Sequence, residues 1–312
     1  MSIYQSSITL VNNFPDFSAP GFDMDVYNDF FKTSNSIINA TASDIAYPEH
    51  WGCLSIKCAF NGEEFYRTQK RVYSVNENNF LVLNEGQHYS SYIFSKNPVE
   101  SFTLNFTSRF VEEVMSSCLR SDEKNIDEPF SAGKEAIEFI EKLYPNNVFV
   151  SPVISRIKEL TKNFNSNKEN INELYYLLLE KLLMLHSEVD KEISKVTACK
   201  PSTRKELYKR LHYAKDFIDS CYASEITLHE LSLITLMNAA YFLREFKKYF
   251  HTTPYQYLMK RRMQVAGEMM KNKHLSVADV CIAVGYEDVS SFAKLFKKHY
   301  GFAPEAYRRR IS

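Results

Sequence analysis

The spacing of apolar positions changes along the chain, and with it the elements it predicts. Leu54, Ile56, Cys58 and Phe60 alternate with Ser55, Lys57 and Ala59, the period of a half-buried strand. Asn61-Gly62 follows, the strongest short hairpin turn signal. Runs at Glu64–Thr68, Val72–Val75, Phe80–Leu83, Tyr89–Ser95 and Ser101–Phe106 come at short intervals, with a second turn at Asn84-Glu85-Gly86. Residues 45–106 therefore read as strands of a sandwich or barrel. The preceding residues 1–34 form a polar and aromatic arm without clear periodicity. Helical spacing takes over afterwards, at Arg109–Leu119, Lys134–Leu143 and Ile154–Asn163. The longest apolar helix runs over Asn172–Val189, where Leu174, Leu177, Leu178, Leu182 and Leu185 spread over more than one face. Such a helix packs on the barrel or pairs with a second copy.

The last third contains one unit written twice. Ile226–Tyr257 and Leu275–Tyr307 share a pattern in which Phe246-Lys247-Lys248-Tyr249-Phe250 returns as Phe296-Lys297-Lys298-His299-Tyr300. Pro254 and Tyr257 return as Pro304 and Tyr307, with one residue of slack near the middle. A repeat is one structural unit used twice. Thr227 caps a short helix through Leu228, Leu231 and Ser232, and the chain breaks at Leu236-Met237. Asn238 then caps a helix with Phe242, Phe246 and Tyr249 at helical spacing. In the second copy Ser276 caps, Gly285 turns and Asp288 caps, and Phe292, Leu295, Phe296 and Tyr300 form the apolar stripe. A short helix, a tight turn and a capped helix make a helix-turn-helix, whose second helix enters the major groove.

Charge points the same way. The 312 residues carry 38 Lys and Arg and 38 Asp and Glu, a net of zero. Residues 200–312 hold 20 basic against 11 acidic residues, a net of +9, which leaves −9 on residues 1–199. A basic half with an acidic partner half is a hint of nucleic-acid binding. The basic residues gather at the repeated units, at Lys247-Lys248, Lys260-Arg261-Arg262, Lys297-Lys298 and Arg308-Arg309-Arg310.

Residues 205–311 resemble the DNA-binding domain of the AraC/XylS family of bacterial transcription regulators. The matching residues are Arg262-Met263-x-x-Ala266, Ser276-Val277, Val284-Gly285-Tyr286, Ser291-Phe292, Phe296-Lys297-Lys298, Gly301 and Pro304. The resemblance implies seven helices, with a central helix near 256–272 joining two helix-turn-helix units that meet successive major grooves. It also implies an activator that works with RNA polymerase and a homodimer, while the scattered Cys point to a cytoplasmic location. The first unit departs from the pattern, with Leu236-Met237 where a glycine is usual and His251 where the second unit has Gly301. A positive φ without glycine costs about 1 kcal/mol or more.

Double-stranded DNA is thus the expected partner. Candidates for base contact are Ala240, Tyr241 and Arg244 in the first unit, and Val289, Ser290, Ser291 and Lys294 in the second. Arg244 stands out, because a guanidinium binds guanine O6 and N7 together. Candidates for phosphate contact are Thr227, Lys247, Lys248, Ser276, Lys297 and Lys298.

The segment Asn79–Ser90, NFLVLNEGQHYS, resembles the cupin-like jelly roll found at the front of many such regulators, which holds an effector or mediates self-association. A cupin can also be a metalloenzyme, which needs a His-x-His pair and a later His. This half has His50 and His88, with His186 outside the strands, and no His-x-His, so no metal or other cofactor is expected. His50, Trp51, Tyr66, His88 and Tyr92 are the candidates for effector contact, with Tyr89 beside them.

Six scattered Cys without a Cys-x-x-Cys argue for a reducing compartment. No basic segment followed by an apolar core opens the chain, and no run of 18 apolar residues spans a membrane. The expected fold class is α+β, a β-rich cupin-like barrel with accessory helices followed by an all-α domain. The expected boundaries are a regulatory domain at 1–120, a helical region at 121–190, a linker at 190–203 and a DNA-binding domain at 204–312, with helix-turn-helix units at about 226–250 and 275–300. No nucleophile, base and acid set or phosphate loop emerges, so no enzyme is expected. The alternatives are a cupin-type enzyme tethered to DNA and a DNA-binding protein whose barrel is purely structural.

Overall fold

The computed structural model describes residues 8–17, 19–69, 71–122, 137–196 and 200–311. The chain divides into two compact units, Met1–Thr197 and Ala198–Ser312.

The first unit is built on an eight-stranded sheet, numbered β1 Thr9–Val11, β2 Ser36–Gly52, β3 Leu54–Phe60, β4 Glu64–Thr68, β5 Arg71–Val75, β6 Asn79–Leu83, β7 Gln87–Phe106 and β8 Leu143–Pro145. Its spine is the antiparallel ribbon of β2 and β7, paired from Ser36↔Asn105 to Gly52↔Gln87. Register shifts at Ala42/Asp44 and Tyr47/His50 interrupt the ribbon; extra residues of this kind bend a strand and raise its twist. One half of β7 then carries β3 and the other half carries β4. The two expected strands at Tyr89–Ser95 and Ser101–Phe106 are therefore one. Tyr66, Tyr73, Leu81, Leu83, Ile93 and Val99 form the inner core.

Helices α1 Met24–Thr33, α2 Ser108–Asp122, α3 Ser151–Thr161 and α4 Phe164–Ser194 complete this unit. Within the expected arm at 1–34, the described residues include β1 and α1, which its lack of periodicity does not predict. Its Asp23 carboxylate accepts from the Asp25 and Val26 amides and starts α1. The helix expected over Lys134–Leu143 is not found in its described part. Residues 137–142 are irregular, because Asn84 exchanges two hydrogen bonds with the Phe139 backbone. Leu143–Pro145 then pairs with β6 as β8. Helix α4 is longer than Asn172–Val189 and buries Ile171, Tyr175, Leu178, Leu182 and Val189 within the unit. Helix α4 reaches Ser194 and the next helix starts at Pro201, so both ends of the expected 190–203 linker are helical.

The β3 expectation also needs correction. Its alternation is real, but neither side meets solvent, since Leu54–Cys58 and Ala59 are all buried. Cys58 and Phe60 face α3, while Lys57 points inward.

The second unit consists of α5 Pro201–Cys221, α6 Leu228–Ile234, α7 Ala239–Phe250, α8 Pro254–Met269, α9 Val277–Ala283, α10 Val289–Tyr300 and α11 Pro304–Ile311. The two helix-turn-helix pairs are α6–α7 and α9–α10. Helix α8 begins two residues earlier and ends three earlier than 256–272, with a reciprocal cap between Thr253 and Gln256. Met263, Ala266, Val280, Val284, Phe292 and Phe296 fill the core of the second pair.

Candidate nucleic-acid interface

Each helix of the repeat starts where a short polar side chain caps it. Thr227 Oγ1 accepts from the Glu230 amide at 3.1 Å. Asn238 Oδ1 accepts from Ala240 and Tyr241, and Asp288 accepts from Ser290 and Ser291. Hydrogen bonds from Ser291 hold the exposed Asp288 carboxyl below the usual carboxylate range. In Ser276 both the amide and the hydroxyl donate to Asp279 Oδ2, at 2.8 and 2.7 Å.

The turns are matched in detail. Leu236 and Gly285 occupy the same place, with φ of 52° and 80°. In each turn the next amide closes a six-residue loop, Met237 to Ser232 O and Tyr286 to Cys281 O, both at 3.0 Å. An arginine from the preceding helix takes the turn carbonyl in both copies. Arg210 Nη1 donates to Leu236 O and Arg262 Nη1 to Gly285 O, each at 2.9 Å. Arg262 is buried and also donates to Tyr222 O and Ser224 O, at 2.7 and 2.8 Å. Its guanidinium thus ties the turn of the second pair to the backbone entering the first. Arg262, which the sequence groups with the basic residues of the repeated units, is thus buried on three carbonyls, and Arg210 is not among the residues the sequence singles out; the signal for both is an Arg on the helix preceding each turn.

This frame presents two equivalent faces. Phe242, Glu245 and Phe246 point into the core from α7, as Phe292 and Phe296 do from α10. That leaves Ala240, Tyr241, Arg244, Lys247 and Lys248 exposed on α7, and Ser290, Ser291, Lys294, Lys297 and Lys298 exposed on α10, in the same positions fifty residues apart. A cation therefore stands at the same point of each helix, six residues past the cap. Val289 is exposed as well. Arg244 lies with its guanidinium carbon 5.0 Å from the Tyr241 ring centre, and its Nε donates to Glu245 Oε1 at 3.0 Å. The flanking lysines are in the last turn, where they also complement the helix dipole.

The effector candidates separate. His50 and Tyr66 line a cavity of about 40 Å³ inside the first unit, together with Tyr89, Lys57 and Glu64. Trp51, His88 and Tyr92 lie outside that lining. Trp51 is half-buried with the Lys32 ammonium 5.4 Å from its ring, His88 is exposed, and Tyr92 stacks on Phe65 at 5.0 Å. Burial lowers the His50 pKa to about 4, so the ring is neutral at pH 7 and donates Nδ1–H to Pro48 O at 2.9 Å.

A family model described as a helix-turn-helix domain matches residues 231–310. An uncharacterized HTH-type transcriptional regulator, YdiP of Escherichia coli, is 38% identical over 95 residues, which are 30% of this chain and 31% of that one. The lactose operon transcription activator of Staphylococcus xylosus is 25% identical over 163 residues, 52% of this chain and 56% of that one. The chain thus spans about a third of the length of the first relative and just over half of the second. A solved DNA-binding transcriptional dual regulator of Escherichia coli K-12 is 26% identical over 33% of this chain and 91% of that one, with a TM-score of 0.31.

Proposed function

We propose, from the premise that the C-terminal unit is an AraC-type helix-turn-helix DNA-binding domain, that the whole chain is a sequence-specific transcription activator. The observation that carries this is the pair of equivalent exposed faces on α7 and α10, each with a cation six residues past its cap. Arg244 and Lys294 read base edges in two successive major grooves, and the lysines behind them neutralise phosphates. The first unit senses a small molecule through its inner cavity, which His50 and Tyr66 line. Its acidic balance keeps it off DNA, so binding resides in the second unit.

The test is a footprint on selected DNA. Arg244→Ala and Lys294→Ala are each expected to weaken binding by about 1–3 kcal/mol and to relax preference at one position of the site. Variants that bind every probe like the parent would remove the base-reading assignment.

A further inference from the structure

The cavity of the first unit is lined by two buried ionisable side chains that form no ion pair with each other. Lys57 on β3 is 3% exposed and Glu64 on β4 is 2% exposed. Both line the cavity. Each feels the other's charge, yet they form no ion pair. The Lys57 ammonium has three donors, and one is spent on the Tyr89 hydroxyl at 2.8 Å. The Tyr66 and Tyr89 rings lie 5.8 and 4.6 Å from the same nitrogen. Glu64 Oε2, in the same lining, has no hydrogen-bond partner. Hydroxyls of Ser101, Tyr66 and Ser91 lie around this carboxyl and favour its charged form, but burial outweighs them.

A buried charge without a partner is costly, by several kcal/mol for an isolated ion. Here Lys57 keeps donors beyond the one given to Tyr89, Glu64 keeps one oxygen without a partner, and both face one small space. That space, about 40 Å³, accommodates roughly three water-sized groups at 10–15 Å³ each. An apolar molecule would leave both charges unpaired. A lone anion would satisfy only Lys57, and a lone cation only Glu64. The arrangement fits a molecule with an acceptor at one end and a donor at the other, a few atoms apart.

We infer that the cavity binds a small zwitterion no larger than a simple amino acid, its carboxylate on Lys57 and its ammonium on Glu64 Oε2. This deepens the sensing role proposed above and rests on it. Tyr66 and Tyr89 form the aromatic wall beside the ligand, and His50, neutral and held by Pro48, closes one side without adding charge.

The experiment is calorimetric titration of the full chain with glycine and alanine, beside acetate and methylammonium as single-ended probes and tryptophan as an oversized one. Glycine or alanine is expected to bind saturably, and the other three are not. Glu64→Gln, isosteric and uncharged, is expected to weaken that binding at least tenfold. Lys57→Met is expected to do the same, with near-ultraviolet circular dichroism confirming the fold of each variant. The inference is overturned if neither zwitterion binds, if acetate binds equally well, or if both folded variants bind like the parent. DNA affinity measured with and without the bound probe separates the two ideas. A zwitterion that binds without changing DNA affinity sinks the sensing role and leaves the site. A different molecule that changes DNA affinity sinks the zwitterion and leaves the sensing role.

Discussion

Leu236 and Gly285 set the same turn in two copies of one unit, and exchanging their chemistry has opposite expected effects. Leu236 holds φ at 52°. A left-handed conformation costs an L-residue with a side chain about 1–2 kcal/mol. Replacing it by glycine removes that strain but adds roughly 0.5–1 kcal/mol of lost unfolded-chain entropy. Leu236 is 79% exposed, so the side chain contributes little burial. The turn's hydrogen bonds to Leu233 O and from Arg210 involve only backbone atoms of residue 236 and persist. The balance for Leu236→Gly is a gain of about 0.5–1 kcal/mol. Gly285→Ala is the reverse case with an added collision. A Cβ there would run into the Ala223 carbonyl oxygen and press on the Arg262 guanidinium, and φ is 80°. Backbone cannot swing aside as a flexible side chain does, so the expected cost is roughly 3 kcal/mol. Amide hydrogen exchange in the full chain measures both. The slowest amides of α7, α8 and α10 report opening of the second unit. They are expected to exchange a few-fold more slowly in Leu236→Gly and about a hundredfold faster in Gly285→Ala. A destabilised Leu236→Gly, or a tolerated Gly285→Ala, would refute the claim that the two turns share one strained geometry.

Other residues give independent expectations. Neutralising a phosphate-contacting lysine among Lys247, Lys248, Lys297 and Lys298 is expected to lower the salt slope of DNA binding by about one unit and to weaken all sequences alike; an unchanged slope in all four variants places them in solvent. His50 has a folded pKa lowered to about 4 by burial, so the unfolded chain takes up its proton first. Its contribution, about 3 kcal/mol, is complete above pH 6.5 and is lost as pH falls through 4. Urea unfolding of the first unit across pH 4–7 is expected to show that slope, and His50→Asn to flatten it. Arg262→Lys replaces a three-carbonyl fork by a point charge and is expected to cost about 3 kcal/mol or more, read as a lower melting transition of the second unit alone.

What the sequence disclosed and what it hid follow from the range of the forces involved. The caps at Thr227, Asn238, Ser276 and Asp288 act within three residues, so they were legible, as were the matching aromatic stripes. Leu236 was legible only as a departure, since nothing local says that its carbonyl is held by Arg210, 26 residues upstream. The Lys134–Leu143 segment has helical spacing, but Asn84 captures its backbone from 55 residues away, and no pattern within the segment records that. The most instructive case is β3. Alternation of Leu54, Ile56 and Cys58 with Ser55, Lys57 and Ala59 states that the strand has two faces, and says nothing about what the polar face meets. In an ordinary sheet it meets water. Here the β2–β7 ribbon carries β3 on one half and β4 on the other, and the polar face closes over an internal space. Lys57 then becomes a buried cation through topology alone. The same long-range closure brings Glu64, seven residues on, to the same space, because Asn61-Gly62 does not close the expected hairpin: β3 pairs with β6 and one half of β7, and β4 pairs with β5 and the other half of β7. Two side chains that a strand pattern assigns to the surface are instead carried inward, and the zwitterion inferred above gives the free donors of Lys57 and the unpartnered oxygen of Glu64 their complement.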